Sequence, residues 1–318
     1  MNRYIFGIDI GGTSVKCGLF TENGELLDKW EIPTNKENDG AGVPQDIADT
    51  IHKKCLEKGI ADKEVLGVGL GVPGPVNALG YVSHCPNLKW RDINVNKVMT
   101  ELTGFVSCAA NDANVAALGE MWKGGGAGVN NLVLVTLGTG VGGGVIVEGK
   151  IVAGFGGAGG EIGHMVMNPE ETEMCGCGGY GHLEQYASAT GIVRMARKKL
   201  AETTEQTVLR EVSELSAKAI FDAAKAGDAV AYGLVDDLGK VLAHAFAHIA
   251  AVTDPQAFVI GGGVSKAGAI LTDAIARHYN KGIMKALQDK EFRLATLGND
   301  AGIYGCAKMI QTLSEEKA

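Results

Sequence analysis

Residues 4–20, YIFGIDIGGTSVKCGLF, and residues 131–151, NLVLVTLGTGVGGGVIVEGKI, share one layout. Each is an apolar run, a turn of glycine and threonine, and a second apolar run. A strand that stops at glycines and returns reads as a hairpin. The same unit occurring twice, more than a hundred residues apart, reads as an internal repeat. It implies two similar half-molecules facing each other, although any two glycine hairpins would look alike at this level. In the first copy the strand ends at Asp9, turns through Gly11, Gly12 and Thr13, and returns as Val15 to Phe20. Asn23-Gly24 then closes a second hairpin.

The stretches around the repeat alternate. Ile47, Ala48, Ile51, Cys55 and Leu56 share one helical face over 44–58. VLGVGLGVPGPV (65–76) is a strand entering a Gly/Pro turn, FVSCAAND (105–112) is a buried strand, and ANVAALGEMW begins a helix just after Asp112. Strand, helix, strand, helix predicts a mostly parallel α/β sheet. Beyond the second copy the spacing is helical over 183–200, 214–226 and 229–253. AFVIGGGVS (257–265) reads as a strand, a glycine turn and the start of a helix, and 299–314 is again helical. The change of pattern near 112 predicts a small α/β lobe over 1–112. A large α/β lobe follows over 113–299, and the C-terminal helix, about 300–318, packs back on the first lobe.

Composition narrows the function. The chain has 318 residues, about two domains' worth, and its 46 % apolar content fills two cores. A net charge of −8 with no basic stripe argues against nucleic acid as a ligand. No run of 18 apolar residues predicts a membrane span, and MNRYIFGIDIGG lacks the parts of a signal peptide, so a cytoplasmic location is expected. There Cys17, Cys55, Cys85, Cys108, Cys175, Cys177 and Cys306 stay reduced. Only Cys175 and Cys177 form a local pair.

Three turns, DIGGTSVK, LGTGVGG and GGGVS, put glycines at strand ends, where backbone N–H groups can face a ligand without Cβ atoms in the way. Thr13 and Thr139 add hydroxyls and Lys16 a charge. GxxxxGK[ST] is absent, and no GxGxxG opens a βαβ unit, which disfavours P-loop and nicotinamide sites. Three turns together fit a nucleotide in a cleft between domains. Asp9, just before the first turn, suits a carboxylate holding a metal-bound water beside phosphates, or a turn cap. Asp112 suits a general base, or a helix N-cap.

The set DIGGTSVKCGLF, GVPGPV, NDANVAALGE, LGTGVGGG, GEIGH, CGCGGYGHLE and FVIGGGVS, in this order over residues 5 to about 306, resembles the ROK family of sugar kinases and related repressors, its glucokinases most of all. The resemblance implies a two-lobed actin/hexokinase-like (ribonuclease H-like) α/β fold with an interdomain cleft. It implies ATP-dependent phosphorylation of glucose at the 6-hydroxyl, with ATP and Mg²⁺ as cofactors and a homodimeric or tetrameric assembly. Asp112 then matches the catalytic base. Asn111, Glu161, His164 and Glu184 match sugar-binding positions, carboxylates and imidazole being directional acceptors for hydroxyls. Gly74 lies in the loop whose backbone approaches the sugar, and Asn87 in CPNLKW joins them. Gly11, Gly12, Thr13 and Lys16 match a first phosphate region, Gly138, Thr139 and Gly140 a second. Gly262, Gly263 and Val264 match the adenosine region.

In the family the histidine of GEIGH and three cysteines of CxCGxxGC bind a structural zinc. Here His164, Cys175 and Cys177 are present, and His182 stands where the third cysteine would be. Zinc accepts such a His₂Cys₂ set. The alternative is a loop that holds itself without metal, with His182 facing solvent. Two other functions share the pattern. One is a kinase for another hexose or N-acetylhexosamine, such as N-acetylmannosamine, N-acetylglucosamine or fructose. The other is a sugar-responsive repressor, disfavoured because the phosphate turn begins at Asp9 and leaves no room for an N-terminal DNA-binding module.

Overall fold

A computed structural model describes residues 3–316. The chain runs β1 (Tyr4–Ile10), β2 (Ser14–Thr21), β3 (Leu26–Pro33), α1 (Val43–Lys58), β4 (Val65–Val72), β5 (Tyr81–Cys85), β6 (Trp90–Asn94), α2 (Val95–Thr103), β7 (Ser107–Asn111) and α3 (Asp112–Lys123). It continues through β8 (Leu132–Leu137), β9 (Val141–Val147), β10 (Lys150–Ile151), α4 (Glu184–Ala187), α5 (Ala189–Glu202), α6 (Ala217–Lys225), α7 (Ala229–Thr253), β11 (Ala257–Gly261), α8 (Ala269–Tyr279), β12 (Glu291–Leu294) and α9 (Ala301–Glu315).

The two large sheets have the orders β3-β2-β1-β4-β7 and β10-β9-β8-β11-β12. These are one topology used twice: three strands in meander order, then two strands reached by crossovers. The repeat in the sequence is thus a repeat of sheet order. The expectation of a mostly parallel sheet needs correction, since in the first sheet β1, β2 and β3 pair antiparallel and β1, β4 and β7 parallel, while in the second β8, β11 and β12 are parallel and β9 and β10 antiparallel. Glycine hairpins can join only antiparallel neighbours, and the parallel strands are those reached through α1 and α2.

By compactness the chain divides into one unit of residues 1–130, 144–160 and 297–318 and a second of 131–143 and 161–296. Position 112 lies inside the first unit, because α3 packs there against α9. The contact is backbone to backbone. A Cβ on Gly305 would lie 1.7 Å from Val115 O, and one on Gly119 would lie 2.1 Å from Ala301 O. Glycine's missing side chain is therefore the packing surface. In the same unit Phe6, Ile8, Leu19, Ile47, Ile51, Val68 and Leu70 form an apolar cluster sealed from water. Buried Glu120 of α3 accepts N–H groups from Gly125 and Leu297, each at 2.8 Å.

In the second unit α7 buries Leu234, Leu238, Leu242 and Phe246. Phe246 stacks on Phe258 of β11 at 4.4 Å between ring centroids. Three helix limits differ from the sequence reading. The helix expected over 183–200 breaks at Ser188, whose hydroxyl caps α5 by accepting the Gly191 N–H. The helix expected over 214–226 starts at Ala217, after Ser216 caps it. After β11 the chain makes a short 3₁₀ turn over Gly263–Ala267, and α8 waits until Ala269 because Gly268 takes φ 76°.

Candidate active site

The first unit holds a carboxylate, a glycine turn and a second carboxylate. Asp9 sits near the end of β1, cross-strand from Lys16 on β2. The turn between them is pinned: Gly11 N–H donates to Ser14 O at 3.0 Å, and Thr34, just after β3, donates from its N–H to Thr13 O and from its hydroxyl to Gly11 O. The Asp9 carboxyl is enclosed by α9 and β4. A Cβ on Gly302 would lie 2.6 Å from its Cγ, and one on Gly71 3.4 Å from its Oδ1. Burial pushes its pKa up to about 6; Lys16 pulls it down and the charge of Asp112 pushes it further up. Asp9 and Asp112 are thus close enough to act on each other.

The cap of α3 is Asn111, not Asp112. Asn111 Oδ1 accepts the Asn114 N–H at 3.1 Å, which leaves Asp112 at the first helical position. The N-cap alternative for Asp112 is therefore filled by its neighbour. The Asn111 amide has two further contacts: it donates to Gly74 O at 3.2 Å and to Asp112 Oδ1 at 3.0 Å. Asp112 Oδ1 also takes the Ala113 N–H at 2.8 Å. One buried asparagine thus joins the Gly74 loop, the helix start and the carboxylate. Asn87 is exposed in the turn between β5 and β6.

The second unit contains a cavity of about 580 Å³ lined by Gly138, Thr139, Gly263 and Val264, with Ala217 and Phe221 of α6 among its other walls. The structure therefore brings the second and third glycine turns together. Gly262 makes this possible. It has φ 80°, and a Cβ there would lie 2.4 Å from Leu137 O, where β8 meets its own turn. Sequence reasoning missed Ala217, Phe221, Lys225 and Lys266 on this wall. The amphipathic pattern of α6 marks Phe221 only as core.

Beside the Gly138–Gly140 turn lies a cluster of soft ligands. One ligand atom from each of His164, Cys175, Cys177 and His182 falls within 4.8 Å of the others. Cys177 Sγ is 3.1 Å from His182 Nδ1, and the two imidazole centroids are 5.3 Å apart. Tetrahedral zinc sets nitrogen and sulfur ligands about 3.3–3.8 Å apart. His164 Nδ1 is buried with no hydrogen-bond partner, the state of a nitrogen that a cation would satisfy. The loop is shaped by bridges Val166–His182 and Met174–Tyr180 and by the Cys175 N–H to Gly179 O bond. Burial raises the Cys175 thiol pKa, which a bound cation would counter. The donor set and the orphaned nitrogen both fit zinc.

Glu184 connects this cluster to the turn. Its Oε2 accepts the Val141 N–H at 3.0 Å, and its Oε1 lies 3.6 Å from Cys175 Sγ. A Cβ on Gly140 would lie 2.5 Å from Glu184 Oε2. Glu161 Oε2 is 4.0 Å from His164 Nε2. So Glu161, His164, Glu184 and the ligand cysteines form one neighbourhood, and Gly74, Asn111 and Asp112 form another.

The whole chain is similar to known sugar kinases. The chain is 44 % identical over 309 residues to the glucokinase of Halalkalibacterium halodurans, covering 96 % of this chain and 94 % of that one. A ROK hexokinase from Thermus thermophilus matches with a TM-score of 0.78 at 30 % identity, covering 99 % of this chain and all of that one. A ROK family glucokinase from Streptomyces griseus, solved with glucose and AMPPNP, matches with a TM-score of 0.70 at 32 % identity, covering 96 % and 98 %. The fold is thus the actin-like two-domain α/β fold of these sugar kinases. With the ROK family model matching residues 5–313, the chain belongs to the ROK family.

Proposed function

We propose that the protein transfers the γ-phosphoryl group of ATP to the 6-hydroxyl of glucose, giving glucose 6-phosphate and ADP and feeding glycolysis. The observation that carries the chemistry is the Asn111 junction. It fixes Asp112 beside the Gly74 loop, on the unit that also holds the Asp9 turn. Glucose as the acceptor is supported by the relatives named glucokinase and by the glucose-bound Streptomyces griseus structure.

Asp112 takes the proton of the sugar hydroxyl. The freed oxygen bonds the γ-phosphorus as the bond from that phosphorus to the bridging oxygen of ADP breaks. Such a transfer needs mainly position and charge. The Gly11–Thr13 and Gly138–Gly140 turns offer N–H groups to the phosphates, and the cavity beside Phe221 takes the adenosine. The Asp9 carboxylate makes no hydrogen bond among the described residues, so its acceptor capacity suits the water of a magnesium ion, which neutralises phosphate charge when bound. Glu161, His164 and Glu184 accept sugar hydroxyls.

Zinc, held by His164 Nδ1, Cys175, Cys177 and His182, would fix the loop that orients Glu184 and leave His164 Nε2 free for the sugar. No helix among the described residues is long and apolar enough to cross a membrane. A cytoplasmic homodimer or tetramer is part of the same proposal and rests on the family resemblance. A coupled assay of ADP release with ATP and a panel of glucose, fructose, mannose, N-acetylglucosamine and N-acetylmannosamine tests the reading. Glucose should give the highest kcat/KM, and an N-acetylhexosamine exceeding it would replace glucose as the substrate.

A further inference from the structure

Two lysines lie at the first glycine turn, and the strand pattern points only to Lys16. Its ammonium, however, is engaged. Lys16 Nζ donates to Asn299 O at 3.2 Å, and its charge draws down the proton affinity of Asp9 across the strand. Lys36 is placed differently. It follows Thr34, whose N–H donates to Thr13 O at 3.0 Å and whose hydroxyl donates to Gly11 O at 2.7 Å. The segment carrying Lys36 is therefore fastened to both sides of the turn. Just beyond, Asn35 Oδ1 accepts the Glu37 N–H at 3.0 Å and fixes the bend. From there Lys36 reaches back over the glycines: a Cβ on Gly12 would lie 3.7 Å from Lys36 Nζ. Gly12 has no side chain, so its backbone and the ammonium border the same opening. Lys36 is exposed and makes no hydrogen bond or ion pair with any described residue.

We propose that Lys36, rather than Lys16, is the cationic contact to the terminal phosphoryl group during its transfer. The inference rests on the kinase reading above and adds a catalytic residue to it. The attacked phosphorus must lie beside the base, and the sheet register brings the base to this end of the unit: Asp9 pairs with Gly71 of β4, and Gly71 with Ala110 of β7, two residues before Asp112. As the sugar oxygen bonds phosphorus and the ADP oxygen leaves, negative charge spreads over the three remaining oxygens. A cation held at the mouth of the turn stabilises that charge more than it stabilises bound ATP. No ion pair joins the Asp9 carboxylate to Lys36 among the described residues.

The test compares Lys36→Met and Lys36→Arg with the parent in turnover and in binding. Lys36→Met should lower kcat by about tenfold or more, with the KM for glucose within about twofold. It should weaken AMPPNP by about tenfold relative to ADP, because only the former carries a terminal group. Lys36→Arg should recover most of both. Thermal unfolding of Lys36→Met should match the parent; if it does not, Lys36→Gln serves in its place. Turnover and AMPPNP affinity both within twofold of the parent would overturn the proposal. So would an equal loss for AMPPNP and ADP, which places the lysine on an inner phosphate. A parent that makes no glucose 6-phosphate would overturn the kinase reading instead, while the AMPPNP to ADP ratio would still judge Lys36.

Discussion

Replacing Asp9 by asparagine should raise the stability of the free protein while abolishing most of its activity. The carboxyl lies between Gly71 of β4 and Gly302 at the start of α9, with no hydrogen bond among the described residues, and burial pushes its pKa up to about 6. An ordinary aspartate titrates near 3.9. The difference is roughly 3 kcal/mol of preference for the neutral form. Because the folded pKa is raised, this contribution is fully present only below about 4 and is lost as pH rises through about 6. At pH 7 and above, the parent folds with an ionised carboxylate in a poor place, and asparagine does not. Part of the residue remains accessible to water, which trims the expected gain to about 1–3 kcal/mol. At pH 5 roughly 1.4 kcal/mol of the parent's loss is restored by protonation. The gap between variant and parent should therefore be wider at pH 8 than at pH 5 by about 1 kcal/mol. Urea unfolding followed by tryptophan fluorescence reads the correct region, since Trp30, Trp90 and Trp122 all belong to the first unit. An Asp9→Asn protein less stable than the parent at pH 8, or a gap that does not change with pH, would refute the reasoning. The activity arm follows from the same chemistry. Asparagine cannot supply the charge that holds a magnesium-bound water, so kcat with saturating ATP should drop by at least about tenfold.

Asp112→Asn should lower kcat by about 10²–10⁴-fold in the coupled assay while shifting the thermal midpoint by only a few degrees, because Asn111 keeps the cap and only a favourable first-turn charge is lost. Purified protein should contain about one zinc per chain by elemental analysis; His182→Ala should reduce that content and raise the KM for glucose more than that for ATP, and His182→Cys should retain the metal. Gly262→Ala should destabilise the second unit by roughly 2 kcal/mol or more and weaken ATP binding, since the residue has φ 80° and its Cβ would strike Leu137 O; unchanged chemical denaturation would count against that account of the turn.

How much of this was written legibly in the chain depends on what kind of interaction carries each feature. The duplicated strand–turn–strand pattern became two sheets of equivalent order, because a strand ending at glycines imposes its geometry within a few residues. Glycine turns are local and leave a trace. The hairpin of β5 and β6 and the helix α2 went unassigned, since Tyr81–Cys85 and Trp90–Asn94 alternate weakly and bury only Val82, Cys85 and Trp90. The helix limits at 188, 217 and 269 turn on single capping or left-handed residues inside longer helical spacings. Asp112 could be read either as cap or as base, because both uses want an acid after a strand; only the hydrogen bonds of Asn111 assign the cap.

The charges at the first turn show the same limit most plainly. Lys16 stands in the strand that follows the glycines, so pattern reading assigns it to phosphate. Alternation puts its side chain on the same face as the Asp9 partner it opposes, and that position spends its charge on a carboxylate and on Asn299 O. Lys36 lies in a loop with no periodicity at all. It reaches the turn only because Thr34 makes two hydrogen bonds to a segment more than twenty residues earlier. A contact made by a neighbouring loop through backbone acceptors leaves no spacing for a sequence to display. On the proposal made for Lys36, a cation serving the glycine turn would come from a loop bonded to the turn and not from the strand that follows it.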